Sequence, residues 1–329
     1  MLRTRLTERL GIRHPILLAP MVGYAGGKLA GAVSAAGGLG LIGAGSGLIP
    51  GLMEREFPLA GNQRVGVGFI NWGLAQRPHL LDQAIEHKPS AIMLAFGDAS
   101  LFIAKIRDAG ITTICMVQTV EMARVVLAQG ADIVVAQGTE AGGHGGQRST
   151  LPLVPAVVDV AAVERPEAIV VAAGGITDGR GLAAALMLGA EGVLLGTRFA
   201  VTEECLVDEA TKAKMVAASG DDTLRSHVFD VVRDHPWPKE FTGRAVANAV
   251  SEEWHGRTAE LAGNAAVKAR VASAAANGDM SYRPVWAGEG LDMIRAVEPA
   301  ASVVERLVME AETVLTWRSP ALLAVVERA

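Results

Sequence analysis

His144 stands in "VVAQGTEAGGHGG" (134–146), flanked by Gly142-Gly143 and Gly145-Gly146. An imidazole takes or gives a proton near neutral pH. The glycines clear space around it and expose bare backbone. That combination points to catalysis or substrate binding. The other six histidines (His14, His79, His87, His227, His235 and His255) read as surface or capping residues. No second histidine or carboxylate accompanies His144 at metal-ligand spacing, so no metal site is expected.

Other chemistry-bearing residues also fall at the ends of apolar runs. "VVAAGGITDGRGLAAAL" (170–186) passes from a strand through Gly174 and Gly175 into a helix, and "GVLLGTRF" (192–199) ends a strand at Gly196 and Thr197. Bare N–H groups at such ends suit an oxyanion, and the Thr197 hydroxyl adds a donor. Two such ends at the last two strands favour a phosphate site over ordinary turns. Asn71 in "GFINWG", Gln118 in "CMVQT" and Gln137 in "VAQGTE" place three amides at strand ends, where each offers a donor and an acceptor to a polar heterocycle. "APMVGYAGG" (19–27) ends the first strand, and its backbone around Met21, Val22 and Gly23 could line a flat ring. "GLGLIG" (38–43) matches G-x-G-x-x-G only in letters: a helix precedes it and its glycines lie inside the strand run, so a dinucleotide fingerprint is rejected.

These residues need a frame that gathers strand ends. Continuous apolar runs recur at 15–20, 38–44, 65–70, 91–96, 112–117, 132–137, 168–174 and 192–197, with helical patterns between them. Strands without polar alternation are buried on both faces, as in parallel sheets covered by helices. Eight such units predict an α/β fold, a (β/α)8 TIM barrel, rather than an open doubly wound sheet. Residues 1–205 are read as the barrel. Residues 206–280, richer in charge and carrying Trp237 and Trp254, are read as an inserted, mostly helical second domain. Residues 281–329 are read as a segment returning to the barrel.

Composition excludes several function classes. The net charge is −5 and no Lys/Arg-rich run appears, so nucleic acid and acidic membrane surfaces are not expected partners. Aromatics make up only 4%, too few for base-stacking platforms. Cys115 and Cys205 lie far apart without CxxC spacing, which argues against disulfides and a cysteine zinc site. No apolar run is long enough to span a bilayer, and the N-terminal "MLRTRLTERLGIRHP" is not a signal peptide. The expected location is cytoplasmic. The sequence does not fix the oligomeric state, and a homo-oligomer is compatible with it.

Together, "RHPILLAPM", "AQGTEAGGHGG", "AAGGITDGRGLAAALMLGAEGVLLGTRF" and "WAGEG" resemble, in order and over nearly the whole chain, the nitronate monooxygenase family, formerly 2-nitropropane dioxygenases. The resemblance implies FMN at the mouth of a TIM barrel. It implies the phosphate on Gly174, Gly175, Gly196 and Thr197. The ring would lie over Met21, Val22 and Gly23, with Gln137, Gly142 and Gly143 beside it and Asn71 and Gln118 as further contacts. His144 matches the family's active-site histidine. The implied substrate is an alkyl nitronate such as propionate 3-nitronate, oxidised with O2 to a carbonyl compound and nitrite. His144 would hydrogen-bond the nitro group, or act as base when the neutral nitroalkane is the substrate. An NAD(P)H-dependent flavin reductase of the enoyl-acyl-carrier-protein or quinone type is the rival reading. A non-catalytic flavin carrier is a third. The inosine-monophosphate dehydrogenase type needs a cysteine on the loop after the sixth strand, and this loop has none.

Overall fold

In the computed structural model, which describes residues 2–47 and 49–322, all eight apolar runs form strands. They are β1 (Ile16–Leu18), β2 (Leu41–Gly45), β3 (Gly66–Ile70), β4 (Ala91–Ala95), β5 (Thr112–Val117) and β6 (Ile133–Gln137). After β7 (Gly143–Gly145), which joins another sheet, come β8 (Ile169–Ala173) and β9 (Val193–Leu195). The eight are parallel, in the order β1-β9-β8-β6-β5-β4-β3-β2. The remaining seam lies between β1 and the chain entering β2. Leu39 closes it, accepting from Leu18 N–H and donating to the Ile16 carbonyl, both at 3.0 Å. The result is a nearly closed (β/α)8 barrel.

The unbroken apolar runs follow from this closure. Every residue of β2, β4, β6 and β8 is buried. Successive side chains point to opposite faces. Leu17, Leu41, Met93, Ile114, Ile133, Val135, Val171 and Leu194 fill the barrel interior. Their neighbours Leu18, Ile42, Leu94, Val134 and Val170 pack outward against the helices. Each fully buried side chain of this kind contributes about 1.5–3 kcal/mol relative to exposure. The glycines of "GLGLIG" serve this packing: a Cβ on Gly40 would lie 2.0 Å from the Ala30 carbonyl oxygen of helix Gly27–Ala35.

The region 206–280 carries helices, among them Glu209–Ala217, Ala249–Trp254 and Ala265–Ala276, but also β10 (Thr223–Ser226) and β11 (Thr242–Val246). β11 lies between β10 and β7 in a three-stranded antiparallel sheet, with Gly243 opposite His144. Val228, Phe229, Trp254, Leu261 and Val271 form a separate small core beneath it. Helix Ala300–Thr313 packs on helices Gly179–Met187 and Gly27–Ala35 of the barrel. The segment read as 281–329 ends, beyond Leu322, outside the described residues. No described helix is long and apolar enough to cross a membrane.

Candidate active site

A cavity of about 420 Å³ opens at the C-terminal ends of the barrel strands, within the roughly 300–1,000 Å³ usual for small-molecule sites. Two kinds of wall enclose it. The barrel supplies backbone and apolar surface: Pro20 to Val22 after β1, Gly45, Ile70, Gln137, Gly174 and Gly175 after β8, and Gly196 and Thr197 after β9. The loop 233–237 and Trp286 supply charge and aromatic rings. Phe96, after β4, lies between the two and meets Trp237 and Phe241 edge-on at 5.2 Å each. Its φ of 60° is the left-handed region, a strain of about 1–3 kcal/mol of the sort that clusters at functional sites.

The backbone wall has the chemistry to cradle an oxyanion. Gly174 (φ 102°) and Gly175 (φ 70°) hold a turn that other residues enter only with strain. The N–H groups of Gly175, Ile176 and Gly196 make no hydrogen bond within the protein among the described residues. Thr197 Oγ1 accepts from the Gly288 N–H at 2.9 Å, which leaves its own hydrogen for a ligand. The "WAGEG" loop thereby joins the site. Gly142 packs directly beneath it: a Cβ there would lie 2.6 Å from both the Ala287 carbonyl carbon and the Gly288 nitrogen.

His144 is held by the other wall. Its Nε2 lies 2.8 Å from Asp230 Oδ2, and the two side chains are only 10% and 4% exposed. Trp237 stacks on the imidazole face at 3.4 Å between centroids. A carboxylate only accepts, so Nε2 carries the hydrogen and, in the neutral ring, Nδ1 keeps the lone pair. Nδ1 makes no hydrogen bond among the described residues, and His144 lines the cavity. Burial pushes the imidazole below the ordinary histidine range, against the opposing pull of Asp230. His144 is therefore neutral at pH 7, with a bare nitrogen. This is the state of a base.

Two arginines, Arg225 half-buried and Arg244 buried, fix the loop that carries His144. Arg225 of β10 donates to the carbonyls of Thr139 (2.9 Å), Ala141 (2.6 Å), Gly143 (3.3 Å) and Thr242. Burial lowers its pKa to about 10. Arg244 of β11 donates to Thr139 O at 3.0 Å and pairs with Glu289 at 2.7 Å. From the barrel side, the Glu140 carboxylate accepts from the Thr150 N–H (3.0 Å) and hydroxyl (2.8 Å) at the start of helix Thr150–Glu164. Gln137 Nε2 donates to the His144 carbonyl at 3.1 Å.

Met21, Val22, Gln137, Gly142, Gly143, His144, Gly174, Gly175, Gly196 and Thr197 thus meet in one cavity. Three sequence candidates do not line it. Gln118 lies behind Gln137, its Nε2 donating to Gln137 Oε1 at 2.8 Å, so it supports the rim rather than forming it. Asn71 begins a short helix and its Nδ2 donates to Gly97 O at 3.1 Å, so it is buried beside the loop after β4. Gly23, at φ 74°, shapes the turn after β1 without facing the cavity. Sequence reasoning missed Asp230, Arg233, Trp237, Tyr24 and Trp286. His235, read as a surface residue, lines the cavity beside Arg233. Among the described residues, no group of three or more His, Cys, Asp or Glu side chains could hold a metal ion.

Comparisons with known proteins bear on the family and the fold. The family model for nitronate monooxygenase matches residues 61–310. The chain is 34% identical over 345 residues to a nitronate monooxygenase of Neurospora crassa, covering 91% of this chain and 90% of that protein. It is 37% identical over 231 residues (70% of this chain, 64% of that protein) to the (3aS,4S,5R,7aS)-5-hydroxy-7a-methyl-1-oxo-octahydro-1H-indene-4-carboxyl-CoA dehydrogenase of Rhodococcus jostii. Among solved structures it is similar to FabK from Thermotoga maritima, with a TM-score of 0.83, 31% identity, and coverage of 97% of this chain and 100% of that one.

Proposed function

Because the chain belongs to the nitronate monooxygenase family, and is an oxidoreductase, we propose that it oxidises nitroalkanes with O2 to a carbonyl compound and nitrite, using FMN, with His144 as base. The observation that carries this is the neutral His144, fixed by Asp230 through Nε2 and presenting Nδ1 to a cavity whose opposite wall is an oxyanion cradle.

The residues present fit FMN. The N–H groups of Gly175 and Gly196 with the Thr197 hydroxyl, beside the open turn at Gly174, match a phosphate, and no carboxylate lines the cavity among the described residues to repel it. Met21 and Val22 offer a flat apolar floor for the ring, and Gln137, Gly142 and Gly143 border it. Bound there, FMN would accept electrons from the substrate and deliver them to O2.

The protein's own contribution is the proton. Nδ1 of His144 takes the α-proton of a neutral nitroalkane, which leaves the nitronate that is oxidised. Asp230 keeps the tautomer and stabilises the imidazolium that forms, as a carboxylate does behind a catalytic histidine. A substrate arriving as nitronate has no proton to give, and for it the bare Nδ1 offers no donor. Base catalysis of the neutral form is therefore the better-supported of the two roles.

The visible spectrum without oxygen tests the reading. Flavin bands that bleach on adding a nitroalkane, and not on adding NADH, are the expected result. Bleaching by NADH alone would move the assignment to a reductase, a class for which the dehydrogenase relative speaks. No flavin bands after FMN is supplied would overturn the cofactor site.

A further inference from the structure

The proton transfer proposed above uses the nitrogens of the His144 ring and leaves its face unexplained. The chain has seven Phe, five Trp and two Tyr. Six of those rings, Trp72, Phe96, Phe229, Trp237, Phe241 and Trp286, join in one run of contacts about His144. Phe96 and Trp286 meet the imidazole at 74° and 44°. Trp237 lies flat on it, with centroids 3.4 Å apart and planes within 6°. Gly243, opposite His144 on β11, leaves room for Trp286: a Cβ there would lie 2.4 Å from that ring.

The stack is built into the fold. Pro236 and Pro238 flank Trp237 and fix φ on either side of it. Asp234, at φ 53°, turns the chain sharply before them, and its carboxylate pairs with Lys268 at 2.5 Å. The His235 N–H donates to the Asp230 carbonyl at 3.0 Å, and the Trp237 N–H to the His235 carbonyl at 2.9 Å. Asp230 therefore anchors the imidazole through its carboxylate and the Trp237 loop through its backbone. A single hydrogen bond to Nε2 lets the ring turn about that bond, whereas a flat stack fixes its plane. Two neutral rings with so little offset gain less than an offset or edge-on pair. A cation over an indole face gains more. The contact thus strengthens as the imidazole takes a proton, which is the property an interaction needs to speed a reaction.

We propose that Trp237 is a positioning residue for the base: its indole face sets the plane of the His144 ring, and so the aim of Nδ1, and favours the imidazolium over the neutral imidazole. This rests on the functional reading above and deepens it. As the substrate Cα–H bond breaks, its electron pair moves into the nitro group and the proton stays on Nδ1, so the positive charge forms against the Trp237 face. The charged and titratable groups around the ring divide. Asp230 favours protonation, whereas Arg233 of the same wall and Arg225 of β10 oppose it, as does burial. His235 of the loop interacts electrostatically with His144. Arg244 of β11 and Asp234 are engaged elsewhere, with Glu289 and Lys268. Asp230 and the indole face support the imidazolium against these.

The test uses the holoenzyme and one compound supplied as nitroethane and as its nitronate, which needs no base. Trp237→Leu keeps an apolar cover over the ring but removes the π face, and Trp237→Phe keeps a smaller face. The ratio of kcat/KM for nitroethane to that for the nitronate falls about tenfold in Trp237→Leu and about threefold in Trp237→Phe. The acid limb of the nitroethane profile moves to lower pH by about 0.5–1 unit in Trp237→Leu, and by less in Trp237→Phe. A tryptophan that served only as a cover predicts the opposite sign, because opening the site relieves burial and raises the His144 pKa toward its ordinary value. A limb that stays or rises in Trp237→Leu overturns the proposal, and so does an unchanged ratio. If Trp237→Leu does not fold, Trp237→Phe decides by the same two readings. If the wild type turns over neither compound, the functional reading fails instead. The His144 imidazole, titrated by NMR in the wild type and in Trp237→Leu, then decides the stack alone: a lower pKa in the variant supports it, and an equal or higher one overturns it.

Discussion

The two walls of the cavity are built on different principles. The barrel wall presents backbone: Gly175 and Gly196 offer N–H groups, and Gly142 lets the loop 286–290 come close. The wall from residues 233–237 presents side chains: Arg233, His235 and Trp237 bring a cation, a second imidazole and an indole, while Asp230 stands behind the wall and holds His144. His144 belongs to the barrel loop by sequence but to the second wall by hydrogen bonding, since β7 pairs with β11. The backbone wall suits a ligand that is always the same, such as a phosphate or a flat ring. The side-chain wall holds the His144 imidazole and brings charge and aromatic rings to the cavity.

That contrast separates the effects of substitutions. The largest is expected from His144→Asn, which removes the base: kcat/KM with nitroalkane falls about a hundredfold or more, while the flavin spectrum stays as in the wild type. Unchanged kcat/KM would remove His144 from the mechanism. Asp230→Asn comes next, with a loss of about tenfold to a hundredfold, because an amide can also donate and so favour the wrong tautomer. The direction of its pH effect is fixed. Asp230 raises the His144 pKa against burial, so its loss lowers that pKa and moves the acid limb of kcat/KM to lower pH. A limb that moves upward would contradict the pairing. Gly142→Ala strikes the other wall. Its Cβ would press on the Ala287–Gly288 backbone, at about 1–3 kcal/mol of overpacking strain. FMN is expected to bind about tenfold more weakly by equilibrium titration, with the pH profile of the remaining holoenzyme unmoved. A shifted limb there would blur the two walls into one.

The same division explains what the sequence made legible. The eight strands show because burial on both faces leaves unbroken apolar runs, and the cradle shows because Gly174-Gly175 ends one of them and Gly196-Thr197 another. Gly143–Gly145 gives no strand signal: two glycines and a histidine have little propensity for one, and pairing with β11 holds them extended. The Asp230 partnership spans 86 residues, and no local pattern announces it. Arg233, Trp237 and Trp286 likewise reach the cavity only through the fold of the 206–280 region and the loop that follows. Asn71 and Gln118 mislead for the opposite reason. They stand at strand ends, as rim residues do, but satisfy Gly97 and Gln137 instead of a ligand.

The most direct measurement is the pH dependence of kcat/KM for one compound supplied in its two forms, as the neutral nitroalkane and as the nitronate. Acting as a base below the ordinary histidine pKa of about 6.5, His144 predicts that kcat/KM for the nitroalkane rises with pH through an acid limb below that value and then levels. The nitronate shows no such rise. A nitroalkane profile that is flat or falls over the same range, or a nitronate profile that rises with it, would contradict the account.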